Sequence, residues 1–452
     1  MQRLAQLKSG ELKQTDPLNQ TEQIKRLQIV EGLTEFPTEI FELADSLEIL
    51  DLSNNQLSSL PSDFGRLHKL KIVFLSDNRF TELPDVLADC PHLEMVGFKA
   101  NQIHTVSETA LPPKLRWLIL TDNQLQKLPN SIGQHSYLQK LMLAGNQLTE
   151  LPKTLQNCEN LALLRISANR LIELPEWLLS MPKLAWLAFS GNAFNPINSL
   201  ESVDNNDALH QVSLEDIEIL ELLGEGASGL IHKAKWINRP EGHECSDEHI
   251  AVKLFKGCVT SDGYPVDELQ ACVTAGKHQN LVEMTAQIDQ ADQLALVMKL
   301  IPERFENLGL PPTLETCTRD TFKEGMQLSV IEIVKIALSV ADTLEHLHDK
   351  GICHGDLYAH NILIDKTCDV LIGDFGATSH YEMLSELQRQ ALQGIEVRAF
   401  SYLLDDLLSL CSDSTSYADG FEKLTCLKQR CLDAAPEQWL DFLSIKEQLL
   451  LL

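Results

Sequence analysis

Three oxygen-bearing side chains stand out by type and spacing. Asp356 precedes Asn361 in the run His354-Gly355-Asp356-Leu357-Tyr358-Ala359-His360-Asn361-Ile362-Leu363, and Asp374 follows in Gly373-Asp374-Phe375-Gly376. An Asp so placed can orient a hydroxyl and accept its proton, while an Asn and a second Asp are hard oxygen ligands able to hold Mg²⁺ against phosphates. Upstream, Gly224-Glu225-Gly226-Ala227-Ser228-Gly229 supplies glycines where backbone must turn sharply close to phosphate. Ile250-Ala251-Val252-Lys253-Leu254 then reads as an apolar strand with a single Lys, a cation that is costly there without a partner. The chemistry these residues point to is the handling of a magnesium-bound nucleotide.

Their order and spacing resemble those of the protein kinase family. The resemblance implies ATP and Mg²⁺ as cofactors, with Asp356 as the base, Asn361 and Asp374 as metal ligands, and Lys253 on the α- and β-phosphates. Glu268 is the expected partner of Lys253, with Asp267 as competitor because Glu268 sits one residue further from His278 than is common in the family. Gly224, Gly226 and Gly229 would cover the phosphates. Ile231 and Ala251 would lie on one side of adenine and Leu363 on the other. Met298 would guard the back of the pocket, and Lys299 to Ile301 would offer backbone groups. His232 to Trp236 continues with strand-like alternation, which separates this loop from a dinucleotide-binding turn.

Departures from the family pattern carry information too. Gly355 stands where Arg is usual, and Tyr358 and His360 stand where a Lys or Arg often faces the γ-phosphate. No Ala-Pro-Glu closes the activation segment, and Ile395 to Tyr402 reads as the start of the next large helix. Without an Arg before Asp356, phosphate on Thr378, Ser379 or Tyr381 would gain little. Activity is therefore expected to be set by the N-terminal half or its ligand. His-Gly-Asp with a later Asn also occurs in small-molecule phosphotransferases of the aminoglycoside-kinase type, which usually lack the Phe-Gly present here.

These residues need elements to carry them. Strands are expected at Ile217–Leu223 and Leu294–Leu300, and helices at Val266–Ala275, which Gly276 can end, and at Ser329–Asp349. The N-terminal half is periodic instead. Asn55, Asn78, Asn101, Asn123, Asn146, Asn169 and Asn192 recur at steps of 22 or 23 residues in the pattern Leu-x-x-Leu-x-Leu-x-x-Asn-x-Leu. This is a leucine-rich repeat array, in which stacked coils bury a core that no single coil could bury alone. Each Asn can bond backbone groups of adjacent coils. By register Ile72, Phe74, Met95, Trp117, Ile119, Met142, Leu163 and Trp186 face outward from the concave wall, with Lys99, Lys140 and Arg165 among them. Such an apolar wall binds a protein or peptide, with Phe74, Met95, Trp117, Met142 and Trp186 as anchors, or it packs against the second domain.

The 452 residues thus divide into a repeat domain over 1–200 and a kinase-like domain over 213–452, joined by a polar linker at 201–212. A degenerate cap is expected at about 24–46 and seven repeats at about 47–200. Within the kinase-like domain an N-lobe spans about 213–298 and a C-lobe about 302–452. The expected fold class is an α/β leucine-rich repeat solenoid followed by an α+β bilobal domain. The net charge of −28 sits on the second half, where 19 Lys and Arg face 43 Asp and Glu, against 18 and 22 in the first 200 residues. That surface disfavours nucleic acid and anionic membrane. No apolar run is long enough to span a membrane, the stretch from Met1 to Gln20 lacks an apolar signal core, and eleven scattered Cys form no metal-ligand pairs. A reduced, cytoplasmic protein is expected. The leading reading is an ATP-dependent protein kinase acting on a protein hydroxyl, Ser or Thr ahead of Tyr, with the array binding a partner or regulating it. The alternative is a pseudokinase scaffold.

Overall fold

A computed structural model describes residues 24–195, 209–240, 249–433 and 440–452, apart from 227, 258 and 291–292. Eight three-residue strands, β1 (Arg26–Gln28) through β8 (Trp186–Ala188), pair in parallel in chain order and form one curved wall. The first belongs to the expected cap. The Leu positions of the coils are nearly all buried, so the wall is backed by one continuous apolar core. The asparagine ladder explains the stacking. Asn146 donates from Nδ2 to the carbonyls of Leu120 and Leu143, both at 2.9 Å, and accepts at Oδ1 from the Leu125 N–H at 3.0 Å. Each Asn therefore satisfies backbone groups at a bend that would otherwise be buried unpaired.

The second half opens with a six-stranded sheet built from β9 (His210–Gln211), β10 (Ile217–Glu225), β11 (Gly229–Trp236), β12 (His249–Phe255), β13 (Met284–Gln290) and β14 (Gln293–Lys299). Their order is β10-β11-β12-β14-β13-β9. Residues 201–208 of the expected linker lie outside the described residues. Its end does not behave as linker, because His210 and Gln211 pair in parallel with Ala286 and Gln287. Helix α1 (Pro265–Ala275) is ended by Gly276 at φ +61°.

Below the sheet, α2 (Val330–Asp349) starts at a capping box between Ser329 and Glu332. Helix α3 (Glu386–Ser409) starts nine residues before the expected Ile395. Its first turns are polar, which hid them, but Ser385 and Gln388 form a capping box that the sequence does display. The segment after Asp374-Phe375-Gly376 is shorter still than expected. Helices α4 (Ala418–Asp433) and α5 (Phe442–Leu449) close the C-lobe.

The halves are not separate bodies on a tether. Ala162, Leu163, Ala185 and Trp186 of the array bury in the core of the second domain, while Cys353, Tyr381, Ala391, Leu392 and Ile395 join the core of the array. Interfaces this apolar hold domains in one arrangement, unlike the polar contacts of mobile domains.

Candidate active site

The sheet and C-lobe enclose a cleft of about 300 Å³. Gly226, Gly229, Ile231, Lys253, Glu268, Met298, Ile301, Asn361, Leu363 and Asp374 line it, so residues far apart in the chain meet around one cavity. Gly224, next to the end of β10, has nothing within 4 Å of where a Cβ would be, and Ala251 is buried opposite Met298 in the β12–β14 ladder. The Lys299 side chain turns to Glu283 at 2.6 Å, and its backbone N–H donates to the Glu283 carbonyl at 2.9 Å.

Lys253 sits on β12 between Ile231 and Leu296 and is buried. Its ammonium bonds the Glu268 carboxylate, and Asp374 lies 3.9 Å away. Burial lowers the Lys253 pKa, but the Glu268 and Asp374 charges outweigh it and the net direction is up, so the side chain stays charged. Of the two candidate partners, Glu268 takes the Lys; Asp267 points the other way.

Asp267 is a separate matter. Both its carboxylate oxygens are buried without a hydrogen-bond partner among the described residues, and it faces Gly191 of the array. Burial pushes its pKa up to about 7. A folded-state pKa above the unfolded value of about 3.9 means the folded chain holds the proton more tightly. That contribution is complete below pH ~4 and is lost as pH rises through ~7. Asp267→Asn, which stays neutral, is expected to stabilise the chain at pH 8 by about 2–4 kcal/mol and by progressively less towards pH 5. Parallel unfolding curves for the two proteins from pH 5 to 8 would contradict this.

Asp374 adopts φ +57°, a left-handed conformation rare for a side chain with a Cβ, and it is half exposed to the cleft. Asn361 donates Nδ2 to the Asp356 carbonyl and to Asp356 Oδ2 at 2.8 Å, leaving its own oxygen for the cleft it lines. Two hard oxygens with a cavity beside them suit Mg²⁺, which is commonly held by one or two protein groups plus phosphates.

Asp356 is the point where the array enters. Arg165, at the end of β7 (Leu163–Arg165), is almost fully buried. Its guanidinium bonds Asp356 Oδ1, the Gly355 carbonyl at 3.1 Å and Asp262 Oδ1 at 2.6 Å. Burial raises the Asp356 pKa, but Arg165, then His360 and His354, outweigh it and hold the carboxyl below its usual range. His360, which stands where the family often has a phosphate-facing cation, lines the cleft and bonds Asp320 through both its ring Nδ1 at 2.8 Å and its backbone N–H.

Gly355 now has a reason. It adopts φ +74°, and a Cβ there would lie 2.9 Å from the Leu187 carbonyl of the array and 2.5 Å from the Ala377 carbonyl. Its N–H donates to Glu396, which also pairs with His348. An Arg could not occupy this position.

Several expected partner anchors are spent inside the chain. Trp186 stacks on Tyr358 with ring centroids 4.3 Å apart and planes 8° from parallel, and its Nε1 donates to the Leu357 carbonyl at 2.9 Å. It is 1% exposed and cannot anchor a partner. Met142 packs against the same second-domain core and accepts from Trp117 Nε1, while Lys140 lies 4.4 Å over the Trp117 ring. Met95 is buried and Phe74 half-buried over Gly97. The activation segment is covered as well. Ser190 donates to the Thr378 carbonyl, the Phe189 N–H donates to Ser379 Oγ, and Thr378, Ser379 and Tyr381 are all buried. Sequence reasoning assigned no role to Arg165 or Asp262, which the fold joins to Asp356 through one guanidinium. Arg165 is a visible outward cation, but nothing local says what it faces.

Comparison with known proteins finds two families along the chain. Residues 217–418 match the family described as protein tyrosine and serine/threonine kinase, and residues 45–103 and 113–171 match leucine rich repeats. A probable serine/threonine-protein kinase of Dictyostelium discoideum is 30% identical over 187 residues, covering 41% of this chain and 10% of that protein. Cyclin-dependent kinase 11B of Mus musculus is 26% identical over 173 residues, covering 37% of this chain and 20% of that protein. The chain thus spans between a tenth and a fifth of these curated relatives. A Leptospira interrogans LRR protein structure is 29% identical with a TM-score of 0.32, over 37% of this chain and 48% of that one.

Proposed function

Since the chain joins a leucine-rich repeat array to a protein kinase domain, we propose that it transfers the γ-phosphoryl group of ATP to a protein hydroxyl, Ser or Thr ahead of Tyr. The observation that carries the proposal is the convergence of Lys253, Glu268, Asn361 and Asp374 on one cleft, with Asp356 bonded to Asn361 at its edge. The relatives described as probable serine/threonine kinases support the choice of acceptor.

Each residue has a task in this reading. Gly226 and Gly229 let backbone lie close over the phosphates, and Lys253, held by Glu268, binds the α- and β-phosphates. Ile231, Met298 and Leu363 enclose adenine. Asp356, held ionised, orients the acceptor hydroxyl and takes its proton. Mg²⁺, held by Asn361 and Asp374, would neutralise charge on the phosphates. The array acts on the kinase domain through its packing on the catalytic loop and activation segment. With Thr378, Ser379 and Tyr381 buried and Gly355 lacking a cation, loop phosphorylation has little to act on. Phe74 and Trp117 remain as half-buried anchors through which the concave wall could take a protein partner.

The test is incubation of the full chain with labelled ATP and Mg²⁺, offering generic protein in one arm and small alcohols in another. Asp374→Asn sets the background. Label on protein above that background is expected. Label on the alcohols alone would make the chain a small-molecule kinase. Nucleotide binding without label on any acceptor would make it a pseudokinase scaffold.

A further inference from the structure

The catalytic loop places no Lys or Arg beside Asp356: Tyr358 is stacked under Trp186, and His360 is bonded to Asp320. The array provides one. Arg165 grips Asp356 Oδ1 while Asn361 grips Oδ2, so the carboxylate is fixed at both ends. A guanidinium is suited to this because its planar fork fixes direction as well as charge. We propose that Arg165 is a positioning residue of the kinase active site, which sets the orientation of Asp356 from the repeat array and makes the array a permanent part of the catalytic unit. The proposal rests on the kinase reading above.

Two observations favour a permanent part over a removable inhibitory lid. The contact around Arg165 is core, because Ala162, Leu163, Ala185 and Trp186 are buried with residues of the second domain. Lifting the array would expose all of them to water, along with Cys353, Tyr381 and Ile395 on the facing side. The loop is also shaped for the contact. Gly355 takes a left-handed conformation with the Leu187 carbonyl against it, and its own carbonyl accepts from Arg165. Separation would leave Asp262 and Asp356 without the one guanidinium that both bond.

The experiment uses the full chain and the labelled-ATP assay with the protein acceptor. Arg165→Met is expected to lower kcat about 100-fold, the scale of a misplaced reacting group, with KM for ATP within about twofold. Arg165→Lys keeps the charge without the fork and is expected to recover about tenfold of that loss. Arg170→Ala, at an exposed position of the array, is expected to match wild type. Arg165→Met leaves two bare carboxylates and risks misfolding, so Arg165→Met/Asp262→Asn is measured alongside it. That double variant is expected to melt like wild type yet stay about 100-fold down. A rise in kcat for Arg165→Met would show an inhibitory clamp and overturn the proposal. Unchanged kcat, or full recovery in the double variant, would show a purely structural role and overturn it as well. A wild type no more active than Asp374→Asn would instead overturn the kinase reading, and this inference with it.

Discussion

Asp356→Asn will lower kcat about 1000-fold while KM for ATP stays within about twofold, because an amide cannot accept the hydroxyl proton. The cavity for nucleotide is lined by other side chains, so ATP has no reason to bind less well. Asn keeps the size of Asp and an oxygen for Arg165; its NH2 then faces Asn361, whose Nδ2 keeps its bond to the carbonyl of residue 356, and Asp262 keeps its own bond to that guanidinium. The fold is therefore retained, and the loss reads chemistry. Rates from labelled ATP, with nucleotide affinity measured in parallel, separate the two. If Asp356→Asn retained a tenth or more of wild-type kcat, Asp356 would not be the base.

The second large effect concerns how the domains are joined. Trp186→Ala is expected to cost about 3–5 kcal/mol of stability, the range for a buried aromatic replaced by Ala. Trp186 is the largest fully buried side chain among the described residues, and its indole N–H is the partner of the Leu357 carbonyl. Removing it opens a cavity against Tyr358 and Tyr402 and unties the residue next to Asp356. The wild-type chain should unfold in denaturant as one unit. The variant should show a lower midpoint and two resolved transitions, one for each half. Unchanged stability and a single transition would mean that the array and the kinase domain are not held together here.

How far the chain was readable from its sequence differs between the halves and their junction. The repeat array was legible because each coil touches mainly its neighbours, so the same Leu and Asn positions must recur. The nucleotide cleft was legible because its chemistry demands particular residue types: a Lys on an apolar strand, a carboxylate for it, and hard oxygens for a metal. Even so, the choice between Asp267 and Glu268 needed the fold, since both lie on one short helix and only α1's rotation against β12 brings Glu268 to Lys253. The start of α3 was missed where polar residues broke the apolar pattern, although its capping box was there to be seen.

The concave wall is where local reasoning stopped. Register along a strand tells which side chains leave the array, and it gave Trp186 and Arg165 as outward residues. It does not tell what stands opposite them, because those contacts join residues separated by 171 and 191 positions in the chain. Sequence by itself determined the repeat solenoid, the kinase-type domain and the residues of the cleft, since periodic packing and phosphate chemistry each write themselves locally. Only the tertiary structure decided that the wall closes on its own catalytic loop, that Gly355 is there to admit the Leu187 carbonyl, and that Arg165 meets Asp356. Docking of two surfaces depends on shape and burial across the whole interface, which no single stretch of chain encodes.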